Sequence, residues 1–358
     1  MKISILGAGN AGCAAAADLT QKGHEVCLIK TSDSMHNENF EYILQNKTIT
    51  MIEDDRETVL KISKITKDIS EVATAEVIII YTQTVFHEQL IERISEYLNK
   101  GQVLIINPGY LSTAYFLKHC SKENMPIIVE AESSFIDCRI CAPGKIKVSF
   151  RNVRNPVGVY PKIKTEYVRQ KLEPLDYSLE YITSIEAALH NPNLIVHTVG
   201  AIMSIPRVEK TNGDYCMYHE VFTPGVWKIL EQLDKEKMDV IEKLGFDRLS
   251  YVEACKYRNS LDDSRDAKEV FFWYASMPTA VKGPTSIDSR YISEDVPQGL
   301  VMLETLGEQL NVSTPICTSL IEMASAALGR DLRLEGRTLD RLGKENVQKI
   351  LQDSKAIM

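Results

Sequence analysis

The sequence predicts an α/β protein in which a doubly wound parallel sheet is followed by an all-helical domain. An apolar run at Lys2–Leu6 leads at once into the glycine-rich stretch GAGNAG and then into a strong helix former. Further continuous apolar runs follow, and these are typical of parallel strands that are buried on both faces. After about residue 184 long amphipathic segments dominate, and their spacing predicts helices.

Chain length predicts two domains. The 358 residues exceed what one hydrophobic core usually holds, and the change of pattern divides the chain into 1–185 and 186–358. A hydrophobic share of 44% and a charged share of 25% are typical of globular proteins. No apolar stretch reaches the ~18 residues of a membrane span, and the N-terminus lacks the length and cleavage site of a signal peptide. We therefore expect a cytoplasmic protein without a membrane partner.

Net charge and cysteine spacing argue against a nucleic-acid-binding, a disulfide-rich or a zinc-binding protein. The formal net charge is −8 and the basic residues are not clustered, so nucleic acid is not an expected partner. The eight cysteines show no disulfide spacing, and the C-x-x-C of Cys138 and Cys141 has no second pair with which to bind zinc. We expect reduced structural thiols and no metal site.

The elements of the first half begin with a strand–turn–helix–strand unit. The predicted strands are Lys2–Leu6, His24–Lys30, Thr48–Glu53, Thr58–Thr66, Ala75–Thr82, Gln102–Asn107 and one starting at Pro126, with helices at Cys13–Gly23 and Val85–Gly101. The strands at Thr48–Glu53 and Thr58–Thr66 are expected to form a hairpin. In the second half the predicted helices are Pro224–Gly245, which Thr223 caps, Pro297–Asn311 and Thr314–Gly329.

The glycine-rich stretch predicts a dinucleotide site. Its residues satisfy G-x-G-x-x-G and lie between a strand and a helix, which is the context that this motif requires. The first glycine allows the tight turn, the second lets a pyrophosphate approach the backbone, and the third lets helix and strand pack closely. The phosphates then face the helix N-terminus. The expected contacts are Gly7, Ala8, Gly9, Asn10, Ala11 and Gly12.

The end of the second strand favours NADP(H) over NAD(H). A carboxylate that binds the ribose 2′-hydroxyl is expected there, about twenty residues after the glycines. The sequence instead has Lys30, Thr31 and Ser32, a cation and two hydroxyls that suit a 2′-phosphate. Asp33 lies close enough to keep NAD(H) as the alternative, and Lys30 could equally be a solvated strand end.

Two polar stretches follow apolar strands and are further candidates for the cofactor site. Thr82 and Gln83 follow one strand, and Asn107 and Pro108 follow the next. In doubly wound sheets, ligands bind beyond the carboxyl ends of the strands. Ordinary turn chemistry explains Asn-Pro-Gly equally well, so both interpretations stay open.

A nicotinamide cofactor implies hydride transfer, for which the protein must supply a proton-transfer group. The second half offers one compact candidate set, Asn191–His197 together with Gly283–Val301. Local sequence alone leaves His197 open between a packed core histidine and a proton carrier, and His190 is a rival. His219 and Thr223 are candidates to line the pocket, although a plain helix approach explains them as well.

The motifs of the second half resemble those of the opine dehydrogenases, the octopine/nopaline type. The pattern N-x-N-x-x-x-H ends at His197. It is followed by G-P, by R-Y-x-x-E-D-V-x-x-G-L-V over Arg290–Val301, and by NVSTP and EGRTLDRLG. The resemblance implies a Rossmann domain followed by a helical domain. It also implies reductive condensation of an α-keto acid with an amino acid to a secondary-amine dicarboxylate, and the reverse oxidation.

Site roles follow from that resemblance residue by residue. It implies that His197 is the catalytic histidine, that Asp295 is its carboxylate partner, and that Arg290 binds the substrate carboxylate. Asn193, one helical turn before His197, falls on a polar substrate-binding position of the family. Pyruvate is the expected keto acid, whereas the amino acid and the oligomeric state stay open, a homodimer being one option. The alternatives are a ketopantoate-reductase-like enzyme, which would use a lysine as its acid, and a non-catalytic NAD(P) sensor.

Overall fold

The computed structural model describes residues 1–277 and 282–355, and the chain forms two compact units, Met1–Ser184 and Ile185–Met358. The division lies one residue before the boundary that the sequence predicts. Within the described ranges, none of the helices has the length and apolar character needed to cross a membrane.

The first unit carries every strand described below and five α-helices. Its strands are β1 Lys2–Leu6, β2 Glu25–Ile29, β3 Thr48–Glu53, β4 Arg56–Lys61, β5 Lys64–Thr66, β6 Val77–Ile80, β7 Val103–Ile106, β8 Ile127–Ala131, β9 Ile136–Ala142, β10 Lys145–Arg151, β11 Asn155–Tyr160 and β12 Leu179–Ile182. Its helices are α1 Asn10–Gln21, α2 Asn37–Asn46, α3 His87–Ile94, α4 Thr113–His119 and α5 Thr165–Leu172.

The main sheet has the strand order β12-β11-β8-β7-β6-β1-β2-β5. From β5 to β8 all neighbours are parallel, whereas β11 runs antiparallel to β8. The six parallel strands follow the order of a doubly wound dinucleotide-binding sheet, in which the direction of winding reverses beside β1. Because β1 lies between β2 and β6, the crevice for a ligand opens beyond the carboxyl ends of β1 and β6.

The central parallel strands β6 and β7 are apolar along their whole length, as strands covered on both faces are. Every residue of Val77–Ile80 and Val103–Ile106 is fully buried. Helix α1 packs on the sheet with a run of small residues, Cys13 to Ala17, none of which is more than 1% exposed. Alanine side chains let this helix approach the strands closely, and that position brings its N-terminus to the end of β1.

The predicted second strand of the hairpin, Thr58–Thr66, is divided between two sheets. β3 and β4 form the hairpin through Asp54 and Asp55, whose φ angles of 47° and 61° suit a two-residue turn. The chain then breaks, and β5 joins the main sheet beside β2. One long strand and two short strands with different partners have the same alternating apolar pattern, so the sequence pattern alone does not distinguish them.

A second sheet, β4-β3-β10-β9, contains the C-x-x-C pair. Cys138 is buried and Cys141 is exposed, because residues three apart on a strand point to opposite faces. All eight cysteines are free thiols, and burial raises the pKa of Cys138 to about 12. In residues 1–277 and 282–355 no cluster of three potential metal ligands is present.

In its described part, the second unit contains helices and loops and no β-strand. Its helices are α6 Ser184–Leu189, which begins at the boundary, α7 Pro192–Met203, α8 Ile205–Thr211, α9 Met217–Glu220, α10 Pro224–Lys243, α11 Tyr251–Asn259, α12 Ala267–Ala275, α13 Arg290–Ser293, α14 Val301–Leu310, α15 Pro315–Leu328, α16 Leu332–Glu335, α17 Leu339–Leu342 and α18 Lys344–Ser354.

The helix predicted at Pro297–Asn311 has an irregular start. One turn of π-helix, Val296–Leu300, precedes α14 and directly follows Asp295. Pro297 lacks an N–H group, which favours a departure from regular helical bonding. Single π turns inside α-helices are frequent at functional sites, and they alter the direction of the neighbouring side chains.

Candidate active site

Helix α7 presents a short polar face on an otherwise buried element. Asn191 caps it by accepting a hydrogen bond from the amide of Asn193 at 3.0 Å, and Pro192 occupies the first turn. Every residue from Leu194 to Met203 is buried except His197 and Met203, which are half-buried like Asn193. Asn193 and His197 are one turn apart, so they share the same accessible face.

The carboxylate of Asp295 holds the imidazole of His197. Nδ1 of His197 lies 2.9 Å from Oδ2 of Asp295, and the two side chains are 15% and 3% exposed. The carboxylate accepts a hydrogen bond from Nδ1–H, so the lone pair of the neutral ring is on Nε2. Among the described residues Nε2 has no hydrogen-bond partner. The imidazole is therefore oriented by a buried group and has one nitrogen available for proton transfer.

Arg290 and Glu294 form the neighbouring ion pair. Nε of Arg290 donates to Oε2 of Glu294 at 2.9 Å, with the arginine side chain 59% exposed and the glutamate 5% exposed. The terminal nitrogens of Arg290 make no hydrogen bond within the described ranges, so that edge of the guanidinium is free to bind a carboxylate in a bidentate manner. The adjacent acidic residues thus differ in partner, Glu294 pairing with Arg290 and Asp295 with His197.

The rival histidine, His190, lies in a different environment. It is 6% exposed, and its Nδ1 is 3.5 Å from Nζ of Lys237, which also pairs with Asp234. Burial, together with the nearby cations Lys237 and Arg258, holds the pKa of His190 well below its ordinary value. His190 is therefore a neutral structural acceptor.

The two remaining substrate candidates lie around the start of α10. His219 is exposed and its Nε2–H donates to the carbonyl of Ala275 at 2.9 Å. Thr223 occupies the predicted N-cap position, but its side chain makes no capping bond. Neither makes a hydrogen bond, ion pair or ring contact with His197 in the part of the chain that the structure describes.

The glycine turn has the form that a pyrophosphate requires. Gly7 has a φ of +114°, and a Cβ there would lie 2.4 Å from the carbonyl oxygen of Tyr81, so only glycine fits. A Cβ at Gly12 would lie 1.7 Å from the carbonyl oxygen of Gly7. At Gly9 it would meet only the imidazole of His36 at 3.5 Å, so the space above this residue is open. Helix α1 starts after Gly9 without a side-chain cap, which leaves its first amides for an anion.

Two buried polar atoms at the ends of β6 and β7 lack partners. Oγ1 of Thr82 and Oδ1 of Asn107 are inaccessible and form no hydrogen bond in the described structure. Unsatisfied buried polar atoms are rare, and at this edge of the sheet they fit a bound dinucleotide. Gln83, which precedes a 3-10 turn, and Pro108, in a cis peptide with Asn107, are half-buried beside them.

The segment after β2 differs from the sequence-based expectation. Lys30 is only 6% exposed and its Nζ donates to the carbonyl of Met35 at 2.5 Å, so it is not a solvated strand end. Thr31 is half-buried and Ser32 is exposed. Asp33 is ion-paired with Lys67 at 3.0 Å. Two exposed cations lie beside this segment, Lys67 and Arg93, and Nη1 of Arg93 donates to the carbonyl of Thr31 at 3.3 Å.

Sequence reasoning missed Lys67 and a second supporting residue, His87. Lys67 directly follows β5, so recognising β5 as a separate strand next to β2 would have placed it here. His87 is fully buried, with Nδ1 2.8 Å from Oγ of Ser112 and Nε2 3.2 Å from the carbonyl oxygen of Thr82. It connects the loops after β6 and β7. No local pattern marks a histidine whose partners are 5 and 25 residues away.

Comparison with known proteins agrees with this architecture. Residues 182–328 match the family described as NAD/NADP octopine/nopaline dehydrogenase, alpha-helical domain, and residues 3–136 match ketopantoate reductase PanE/ApbA. The opine dehydrogenase of Arthrobacter sp. (strain 1C) is 28% identical over 351 residues, which cover 95% of this chain and 94% of the relative.

Two solved structures show the same fold. An octopine dehydrogenase in complex with NADH and agmatine gives a TM-score of 0.79 at 17% identity, covering 100% of this chain and 99% of that one. A PanE/ApbA family ketopantoate reductase from Ralstonia eutropha JMP134 gives 0.63 at 16% identity, covering 94% and 98%. With the octopine/nopaline domain in its helical half and a 28% identical relative that spans nearly its whole length, the chain is similar to the opine dehydrogenases, and these similarities indicate an NAD(P)-dependent oxidoreductase.

Proposed function

We propose that the protein condenses an α-keto acid, pyruvate in the first instance, with an L-amino acid and reduces the resulting imine to a secondary-amine dicarboxylate. The observation that carries this proposal is the His197–Asp295 pair, with Nε2 of the imidazole free. Solved octopine dehydrogenases that share the fold bind NADH together with L-arginine or with pyruvate, which supports both substrate classes.

The proposed reaction has two steps, condensation to an imine and reduction of that imine. The carbonyl of the keto acid and the amine of the amino acid form an imine and release water. When bound, the reduced nicotinamide supplies the hydride that adds to the imine carbon, and it is oxidised to NAD(P)⁺. The imine nitrogen gains one proton in the same reduction, and the reverse oxidation removes that proton.

His197 is the group that handles this proton. An imidazole titrates near neutrality, so it can give a proton to nitrogen in the forward direction and accept one in reverse. Asp295 fixes the tautomer and stabilises the imidazolium. Arg290 binds the carboxylate of the keto acid with its free guanidinium edge. Asn193 donates to the substrate from the face of α7 that also carries His197. His219 and Thr223 border the amino-acid side.

NADP(H) is the preferred cofactor in this proposal, and NAD(H) is also used. The hydroxyls of Thr31 and Ser32 suit a 2′-phosphate, and so does the ammonium of Lys67, which pairs with Asp33 at 3.0 Å and offsets its charge. A solved yersinopine dehydrogenase of the same fold binds NADP⁺, and the octopine dehydrogenases bind NADH, so the fold accommodates either.

Simple carbonyl reduction of the ketopantoate-reductase kind is not favoured. The ketopantoate reductase match ends at residue 136, before the helical half begins. The most deeply buried lysine described in that half, Lys237, is 1% exposed and ion-paired with Asp234 at 2.7 Å, so it cannot reach a substrate as an acid.

A substrate panel tests the proposal. Pyruvate is combined with each of a set of amino acids, with NADH and NADPH in parallel, and loss of reduced-cofactor absorbance is followed. Cofactor should be consumed only when keto acid and amino acid are both present, and mass spectrometry should find the condensed dicarboxylate. Consumption with a keto acid alone would show carbonyl reduction instead.

A further inference from the structure

Asp295 approaches His197 from a segment that makes a second contact with the same imidazole. The ring of Tyr291 lies against it, with ring centroids 4.2 Å apart and planes inclined by 38°. Tyr291 belongs to α13, and Asp295 lies two residues beyond the end of that helix at Ser293. The π turn Val296–Leu300 follows at once. Whatever fixes this π turn therefore also fixes the direction from which both side chains meet His197.

The π turn deprives one carbonyl of its regular helical partner, and a distant segment supplies another. The amide of Val301 donates to the carbonyl of Val296, five residues earlier. In a regular helix it would donate to the carbonyl of Pro297. The amide of Arg337 donates to that carbonyl instead, at 3.0 Å. Backbone from the segment Glu335–Arg337 therefore completes the hydrogen bonding of the irregular turn.

Side chains connect the same two segments. Nε of Arg337 donates to Oε1 of Gln298 at 2.8 Å, and Nε2 of Gln298 donates to the carbonyl of Glu335 at 3.1 Å. A Cβ on the intervening Gly336 would lie 2.9 Å from the carbonyl oxygen of Pro297. A larger residue at position 336 would push the two segments apart, so glycine allows their close approach.

The two connecting side chains are almost completely inaccessible. Arg337 is 0% exposed and Gln298 is 3% exposed. Arginine is rarely buried completely, because a guanidinium that leaves water needs hydrogen-bond partners. Buried polar side chains that bond to one another accept a narrower range of geometries than apolar side chains do. The pair therefore restricts the geometry of the π turn more tightly than apolar packing would.

We propose that Gln298 and Arg337 are positioning residues for the reaction, because they hold the π turn in the geometry from which Asp295 orients His197. Each acts through the segment that carries Asp295 and Tyr291, and neither serves as a proton carrier or a substrate ligand. This inference rests on the proposed role of His197 and extends the machinery that supports it to the segment Glu335–Arg337.

The first test observes the imidazole itself and needs no substrate. In protein labelled with ¹⁵N-histidine, the resonances of His197 are identified by their loss in His197→Ala. At about pH 8.5, where an ordinary imidazole is neutral, the wild type should show the Nδ1–H tautomer that the bond to Asp295 requires. Gln298→Met should show a mixture that contains the Nε2–H tautomer. An unchanged tautomer in Gln298→Met would overturn the inference.

The second test measures turnover per NADPH-binding site, so that unfolded protein is not counted. In Gln298→Met kcat should fall about tenfold or more, because a small displacement of a catalytic group is costly, while KM for pyruvate changes less. If Gln298→Met does not fold, Gln298→Asn gives the same comparison, because it is shorter by one methylene and reaches only one of its two partners.

Gln102→Met is the matched control for the loss of a buried glutamine. Gln102 is 2% exposed and its Nε2 donates to the carbonyls of Val72 at 2.7 Å and Ala75 at 2.9 Å. This variant should lose stability and keep both the tautomer of His197 and kcat per site. Equal losses of kcat at the two positions would overturn the inference. A wild type that makes no dicarboxylate would overturn the proposed function, whereas the tautomer would still decide the positioning role.

Discussion

Nδ1 of His197 lies 2.9 Å from Oδ2 of Asp295, a residue 98 positions further along the chain. The histidine comes from a regular helix, whereas the aspartate stands at the start of a π turn. The carboxylate is almost inaccessible, so it is placed to orient the imidazole. In the proposed reaction His197 moves the proton and Asp295 positions His197.

Replacing Asp295 should impair the proton-transfer step. In Asp295→Asn the amide can donate to Nδ1 and move the ring proton to Nε2, which is the wrong tautomer for accepting a proton. We expect kcat to fall about 10²-fold or more, with a smaller change in KM. Steady-state kinetics of the oxidative direction measure this most directly.

The adjacent residue supplies a matched control. Glu294→Gln alters a carboxylate of the same burial that pairs with Arg290 and does not contact His197 through any described interaction. Its main effect should be on KM for the keto acid. If the two variants lost kcat equally, a specific role for Asp295 would be untenable.

Arg290 is expected to bind the keto-acid carboxylate through its planar fork. Arg290→Lys keeps the charge but loses the bidentate geometry, so KM for pyruvate should rise about tenfold while kcat changes less. Arg207→Lys, another exposed arginine that is paired with a glutamate, is the control and should leave KM unchanged. A normal KM for pyruvate in Arg290→Lys would remove Arg290 from the substrate site.

The glycines of the first turn should respond differently to the same methyl group. Gly9→Ala meets no backbone and has a φ of −88°, so stability should be retained while NADPH affinity falls about tenfold or more, since the methyl occupies the place of the pyrophosphate. Gly12→Ala collides with the carbonyl of Gly7 and should cost about 1–3 kcal/mol of unfolding free energy. Thermal unfolding and NADPH titration distinguish the two effects; a Gly9→Ala variant with native affinity would exclude a phosphate at this turn.

Lys67 should contribute to discrimination between the two cofactors. Lys67→Ala is expected to lower the NADPH-to-NADH preference by a factor of about two to five, because an exposed ammonium interacts only weakly with a phosphate. Added salt should reduce the difference between variant and wild type. Lys64→Ala, which changes the first residue of β5 and breaks its ion pair with Glu71 at 2.6 Å, serves as the control. An equal loss of affinity for both cofactors would argue against 2′-phosphate binding by Lys67.

The parts of the fold that follow from local sequence could be predicted. The glycine turn, the buried strands around it and the start of α10 at Pro224 each depend on residues that are close in the chain. The division of Thr58–Thr66 between two sheets could not, because it depends on which distant strands pair with each half. The burial of Lys30 likewise depends on the loop that folds back over it.

In the candidate site, too, contacts between residues that are distant in the chain could not be predicted from local sequence. Arg290 and Asp295 lie five positions apart with no common helical face, so spacing gave no reason to connect either with His197, and only the family resemblance did so. The π turn after Asp295 has no reliable local pattern beyond Pro297. Tyr291 lay within the recognised motif, but its contact with the imidazole required the packing of α13 on α7.

The central claim is that His197 moves the proton when the carbon–nitrogen bond is reduced. Its most direct test is the rate of NADPH oxidation by His197→Ala with pyruvate and the amino acid that the wild-type protein uses best, measured beside an NADPH titration of the same variant. We predict a rate lower by about 10²–10⁴-fold with an unchanged dissociation constant for NADPH. A variant that binds NADPH normally and turns over at the wild-type rate would contradict the claim.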